Sequence, residues 1–95
     1  MSSRIGSISI RRPRAVKKFL YEGKSNISGE RVRLLRLTRR LSQSTLAIKM
    51  QTEGVIVEQG AISRIESGTR FLTDYEILAL TKIFNVSADY IIGRE

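Results

Sequence analysis

From position 28 onward the apolar residues recur every three or four positions, and Ser, Thr, Asn and Gly interrupt them at intervals that suit short helices. Ser28 is placed to cap a first helix over residues 29–40, in which Val32, Leu35 and Thr38 or Arg39 share one face while Arg31, Arg33 and Arg40 lie largely off it. Ser42 caps a second over residues 43–51, with Leu46, Ala47 and Met50 at core spacing. A looser stretch, 52–58, contains Gly54 and the apolar run Val55, Ile56, Val57. Residues 59–67 read as a third helix with Ile62 and Ile65 inward, and Gly68 suits the left-handed turn that ends it. Thr73 and Glu76 have the spacing of a capping box, which opens a fourth helix to about Phe84 with Ile77, Leu80, Thr81 and Phe84 on its buried face. Asn85 stops that helix, Ser87 caps a last one over residues 88–92, and Gly93 closes it. The pattern predicts an all-α, compact five-helix domain over residues 28–95.

Residues 1–27 lack this periodicity. They combine Ser, Gly and Arg with the only proline, Pro13, and the alternation from Ile5 to Ile10 is too short to build a sheet alone. A short helix over residues 15–22 suits the Ala, Lys and Leu there, but the segment as a whole reads as a flexible arm. Charge sharpens the division. The chain holds 17 Lys and Arg against 9 Asp and Glu, a net +8. Residues 1–28 carry seven basic residues and one acid, +6, which leaves +2 for the remainder. An excess of this kind attracts a polyanion by releasing its condensed counterions, so nucleic acid is the first candidate partner.

Cysteine and histidine are both absent, which removes disulfides, thiolate and imidazole metal ligands, cysteine nucleophiles and the commonest general base. No glycine-rich phosphate loop, nucleophile elbow or Ser-x-x-Lys pair gives the carboxylates a task. The expectation is a protein that is not an enzyme, with no catalytic residue, metal or cofactor. No apolar run approaches the roughly 20 residues of a membrane span, and the first residues carry no secretory pattern, so the expected setting is the cytoplasm, with no membrane partner.

A helix that reads DNA presents short or flexible polar side chains near its amino-terminal end while apolar residues pin its other face to a supporting helix. The segment from Gln59 to Gly68 meets that specification. Gln59, Ser63 and Arg64 point outward on this reading. Glutamine pairs bidentately with adenine and arginine with guanine in the major groove.

Four blocks then resemble the Cro/repressor-type, or xenobiotic-response-element, helix-turn-helix family: GERVRLLR from Gly29, LSQSTLA from Leu41, ISRIESG from Ile62 and VSADYIIG from Val86. The resemblance covers residues 28–93, and the four blocks in order make it specific. It implies that Gln43 touches a phosphate, that Gln59, Gly60, Ser63 and Arg64 face the groove, and that Ser67, Thr69 and Arg70 lie nearest the following backbone. It also implies an Arg36–Glu66 pair, where composition alone offers one more arginine on a solvated helix. Family members this short often dimerise around the terminal helix, which puts Tyr90, Ile91 and Ile92 at a homodimer contact, although a five-helix domain needs one of them to close its far end. One departure stands out: the connection over residues 51–58 is about five residues longer than the family's tight turn. One of Val55, Ile56 and Val57 fills the core position there, and the others pack against the arm or stay exposed.

The resulting expectation is a sequence-specific binder of double-stranded DNA, a regulator of repressor type that occupies a pseudo-palindromic operator as a dimer. Arg11, Arg12 and Arg14 of the arm are expected on phosphates. The alternative is an antitoxin that grips a toxin protein through the arm and autoregulates its own operator. The tripeptides beginning at Asn26 and Asn85 match the glycosylation acceptor by chance on this reading.

Overall fold

The computed structural model describes residues 22–94. Five helices follow in order: α1 (Gly29–Thr38), α2 (Gln43–Thr52), α3 (Gln59–Ser67), α4 (Asp74–Phe84) and α5 (Ala88–Ile92). The expected all-α architecture is the observed one. α1 packs on α3 and α5, α2 on α3 and α4, and α4 on α5. Val32, Leu46, Met50, Ile62, Leu80, Phe84 and Ile91 meet at the centre of this arrangement.

Most caps fall where the sequence places them. Ser42 accepts the Thr45 amide, Thr73 and Glu76 close their box reciprocally, and Ser87 accepts the Tyr90 amide. Gly68, Asn85 and Gly93 end their helices at φ of +84°, +56° and +88°. Two ends differ from expectation. The Ser28 side chain caps nothing; Asn26 Oδ1 instead accepts the amides of Ser28 (2.9 Å) and Gly29 (2.8 Å). An asparagine two and three residues ahead of those amides is well placed for such a local bond. α1 also stops at Thr38 rather than at 40, because Arg40 turns left-handed at φ +58° and the Leu41 amide reaches back to the Arg36 carbonyl at 3.0 Å. This is the paired closure usually built on glycine, here built on arginine.

The long connection has a similar explanation. Gly54, at φ +89°, lets the Val55 amide bond the Met50 carbonyl, which ends α2 and carries Val55 into the core at 8% exposure. Val57 is half-buried, while Ile56 stays three-quarters exposed. Much of the extra length is therefore a helix terminator rather than a displaced reading helix. Among the described residues, no helix is long and apolar enough to cross a membrane.

Candidate nucleic-acid interface

α3 owes its position to its buried face. Ala61, Ile62, Ile65 and Glu66 turn inward against α1 and α2, which leaves Gln59, Gly60, Ser63, Arg64 and Ser67 exposed along one side. All four expected groove-facing residues lie on this outer face. A Cβ added at Gly60 would stand 3.4 Å from Arg64 Nη1. The Arg64 guanidinium therefore lies over the first turn of α3, brought forward from a residue one turn later.

Beneath this face runs a buried polar network. Arg36 Nε donates to Glu66 Oε2 at 2.6 Å and Nη2 to Oε1 at 3.0 Å, with side chains only 10% and 4% exposed. Arg36 Nη1 donates to the Leu41 carbonyl. The bond to Glu66 outweighs the opposing effect of burial and raises the Arg36 guanidinium above its ordinary value. A buried pair of this kind fixes how α1 meets α3 more than it stabilises the fold. The network continues outward: Gln43 Nε2 donates to Glu66 Oε1 at 3.2 Å, and Gln59 Nε2 to Gln43 Oε1 at 3.3 Å. The side chains opening α2 and α3 are thus oriented by one carboxylate.

At the other end of α3, the Ser67 and Thr69 hydroxyls lie 3.0 Å apart and both bond the Arg64 carbonyl. They are exposed beside the end of α3, and their first task is to close that helix. Arg70 is held differently from a free phosphate ligand. Its Nη1 and Nη2 each donate to Glu76 at 3.1 Å, and Nη1 also donates to the Phe71 carbonyl. Burial pushes the Glu76 carboxyl up, but Arg70 and the Thr73 amide outweigh it and hold the group below its ordinary value.

Two further residues position α3 without a signal in the helical periodicity. Asn26 Nδ2 donates to the carbonyls of Ile65 (3.0 Å) and Arg70 (2.8 Å), so one asparagine ties the start of α1 to the end of α3. The Ser25 amide reaches the Gly68 carbonyl at 2.7 Å beside it. Gly29 lets the two helices touch, since a Cβ there would fall 2.3 Å from the Ile65 carbonyl oxygen. Of the expected dimer residues, Ile91 is wholly buried in the core. Tyr90 is half-buried, with the Arg31 guanidinium 4.5 Å from its ring centre and bonded to its carbonyl. Ile92 is likewise half-buried. Arg11, Arg12 and Arg14 lie outside the described residues.

No family model matches the chain, and no curated protein matches it by sequence. Solved structures do. The P22 c2 repressor, determined in complex with a synthetic operator, is similar at 28% identity and a TM-score of 0.62, over 74% of this chain and 98% of that one. The restriction-modification controller protein C.AhdI from Aeromonas hydrophila is similar at 28% identity and a TM-score of 0.56, over 66% of this chain and 84% of that one. The shared fold is that of a repressor and a controller protein, not of an enzyme.

Proposed function

Because the chain carries the Cro/repressor-type helix-turn-helix fold, we propose that it binds double-stranded DNA sequence-specifically as a transcriptional regulator of repressor type. The observation that carries this reading is the polar face of α3, where Gln59 and Arg64 stand exposed over a buried Arg36–Glu66 pair that also orients Gln43. Gln59 and Arg64 read adenine and guanine edges in the major groove. Gly60 and Ser63 allow the helix to approach closely. Gln43 sits in the first turn of α2, where the helix dipole favours a phosphate, and Ser67 and Thr69 meet the backbone further along. Arg70 joins them only by giving up part of its hold on Glu76. The protein acts in the cytoplasm as a homodimer on a pseudo-palindromic operator, its reading helices entering major grooves about 34 Å apart.

The arm acts as an electrostatic adjunct. The chain joins the helical body through Ser25 at Gly68, next to Ser67 and Thr69, so the segment that carries the six basic residues of 1–21 is attached to the body beside the proposed backbone contacts. Truncation belongs after residue 21, since Ser25 and Asn26 hold the body together. Removing residues 1–21 should flatten the dependence of log affinity on log salt by about 0.9 for each phosphate the arm had neutralised. An unchanged slope would assign the arm to a protein partner, as an antitoxin requires. The function itself is tested by selecting fragments from a random duplex pool: the protein should enrich one inverted repeat, and a pool recovered without enrichment would overturn sequence-specific binding.

A further inference from the structure

The outer face of α4 is arranged symmetrically about one leucine. Leu78 is 54% exposed, with Asp74 one turn before it and Lys82 one turn after, both exposed on the same stripe of the helix. Eight residues of helix separate the two charges, about 12 Å, too far to pair within one chain. Neither takes part in an ion pair among the described residues. Beside Leu78 runs an apolar groove of about 420 Å³, lined also by Ile77, Thr81, Val86 and Ala88. Tyr75, 59% exposed, flanks the same stripe.

We propose that this face binds a second copy of the chain, with the two α4 helices antiparallel across a two-fold axis at Leu78. A two-fold axis requires a patch that complements itself. Here it sets each Leu78 against the other chain's groove and brings Asp74 of each chain opposite Lys82 of its mate, forming two ion pairs from charges that cannot meet in cis. The contact lies on α4, which packs on α2 and α5, so both copies of the α3 face stay open. This rests on and deepens the dimer reading given above by placing the contact on α4 and the start of α5, since Ile91 itself is buried.

The test uses free protein, so its outcome does not depend on DNA binding. In sedimentation velocity from about 5 to 500 μM, the full chain should show a reversible monomer–dimer equilibrium, and Leu78→Glu should remain monomeric while keeping its helical circular dichroism. Asp74→Lys or Lys82→Asp alone makes two like-charge contacts per dimer and should weaken association roughly tenfold. The double variant restores both pairs and should return to within about threefold of the original. Both substitutions oppose the dipole of α4, so a merely structural role predicts that the double variant is the worst of the three. A monomeric parent protein, a Leu78→Glu protein that still dimerises, or a double variant weaker than either single one would overturn the proposal.

Discussion

Replacing Gly29 by alanine tests the packing that aims α3. The new Cβ would sit 2.3 Å from the Ile65 carbonyl oxygen and 2.7 Å from that of Glu66. A carbon–oxygen contact settles at about 3.3 Å or more, so the start of α1 must retreat from the end of α3 by roughly 1 Å. Neither obstacle can rotate away, because both are main-chain atoms. The retreat stretches the bonds from Asn26 Nδ2 to the Ile65 and Arg70 carbonyls. Overpacking costs about 1–3 kcal/mol, and each weakened bond adds about 1 kcal/mol. Alanine's helical advantage over glycine returns at most about 1 kcal/mol. The net loss of about 2–4 kcal/mol corresponds, for a domain of this size, to a Tm lower by roughly 10–30 °C. Thermal melting followed by circular dichroism reads this directly. Gly60→Ala is the matched control: it meets only the flexible tip of Arg64 at 3.4 Å and should keep or raise the Tm. Equal melting of Gly29→Ala and the parent protein, or a larger loss from Gly60→Ala, would show that the close approach of α1 to α3 does not depend on the missing side chain.

Three further outcomes follow from the same geometry. Glu66→Ala strands the Arg36 guanidinium in the interior and should cost about 3–5 kcal/mol in urea unfolding; joining it to Arg36→Met should recover part of that, and simple additivity would contradict a coupled pair. Glu76 is held below its ordinary value in the folded state, so its stabilisation is complete above the unfolded carboxylate's pKa and is lost as pH falls through the folded one. The stability gap between the parent protein and Glu76→Gln should therefore narrow on acidification, and parallel curves from neutral pH to about pH 3 would count against this. Arg40→Gly relieves a left-handed arginine at φ +58°, a conformation costing about 1–2 kcal/mol for a residue with a Cβ, and should raise the Tm; a lower Tm would show that the Arg40 side chain contributes more than the strain costs.

The elements legible in the sequence were those written in local code. Ser42, Thr73 with Glu76, Ser87 and the stops at Gly68, Asn85 and Gly93 act within one turn of their own positions, and each sits in the structure where its type suggests. The outward set Gln59, Ser63 and Arg64 followed from the inward spacing of Ile62 and Ile65. The Arg36–Glu66 pair came from resemblance alone, since thirty residues of separation leave no periodic trace, and the structure forms it. What could not be read depends on contacts distant in sequence. Asn26 looks like part of a polar arm until the carbonyls of Ile65 and Arg70 are brought to it. Gly29 looks like a weak helix start until α3 lies against it. Ser28 outranks Asn26 as a cap by position, yet the asparagine reaches both amides. Arg70 reads as a free basic residue because its partner, Glu76, already has a role in the capping box.

The outer face of α3 either reads bases or only touches the backbone, and one comparison separates the two. With the selected inverted repeat in hand, the Kd of the parent protein, Gln59→Ala and Arg64→Ala is measured on that site and on a scrambled duplex at one fixed salt concentration. Each substitution should cost about 1–3 kcal/mol on the repeat and little on the scrambled duplex, with base preference relaxed at the positions contacted. Losses of equal size on both duplexes would contradict base reading and reduce Gln59 and Arg64 to backbone contacts.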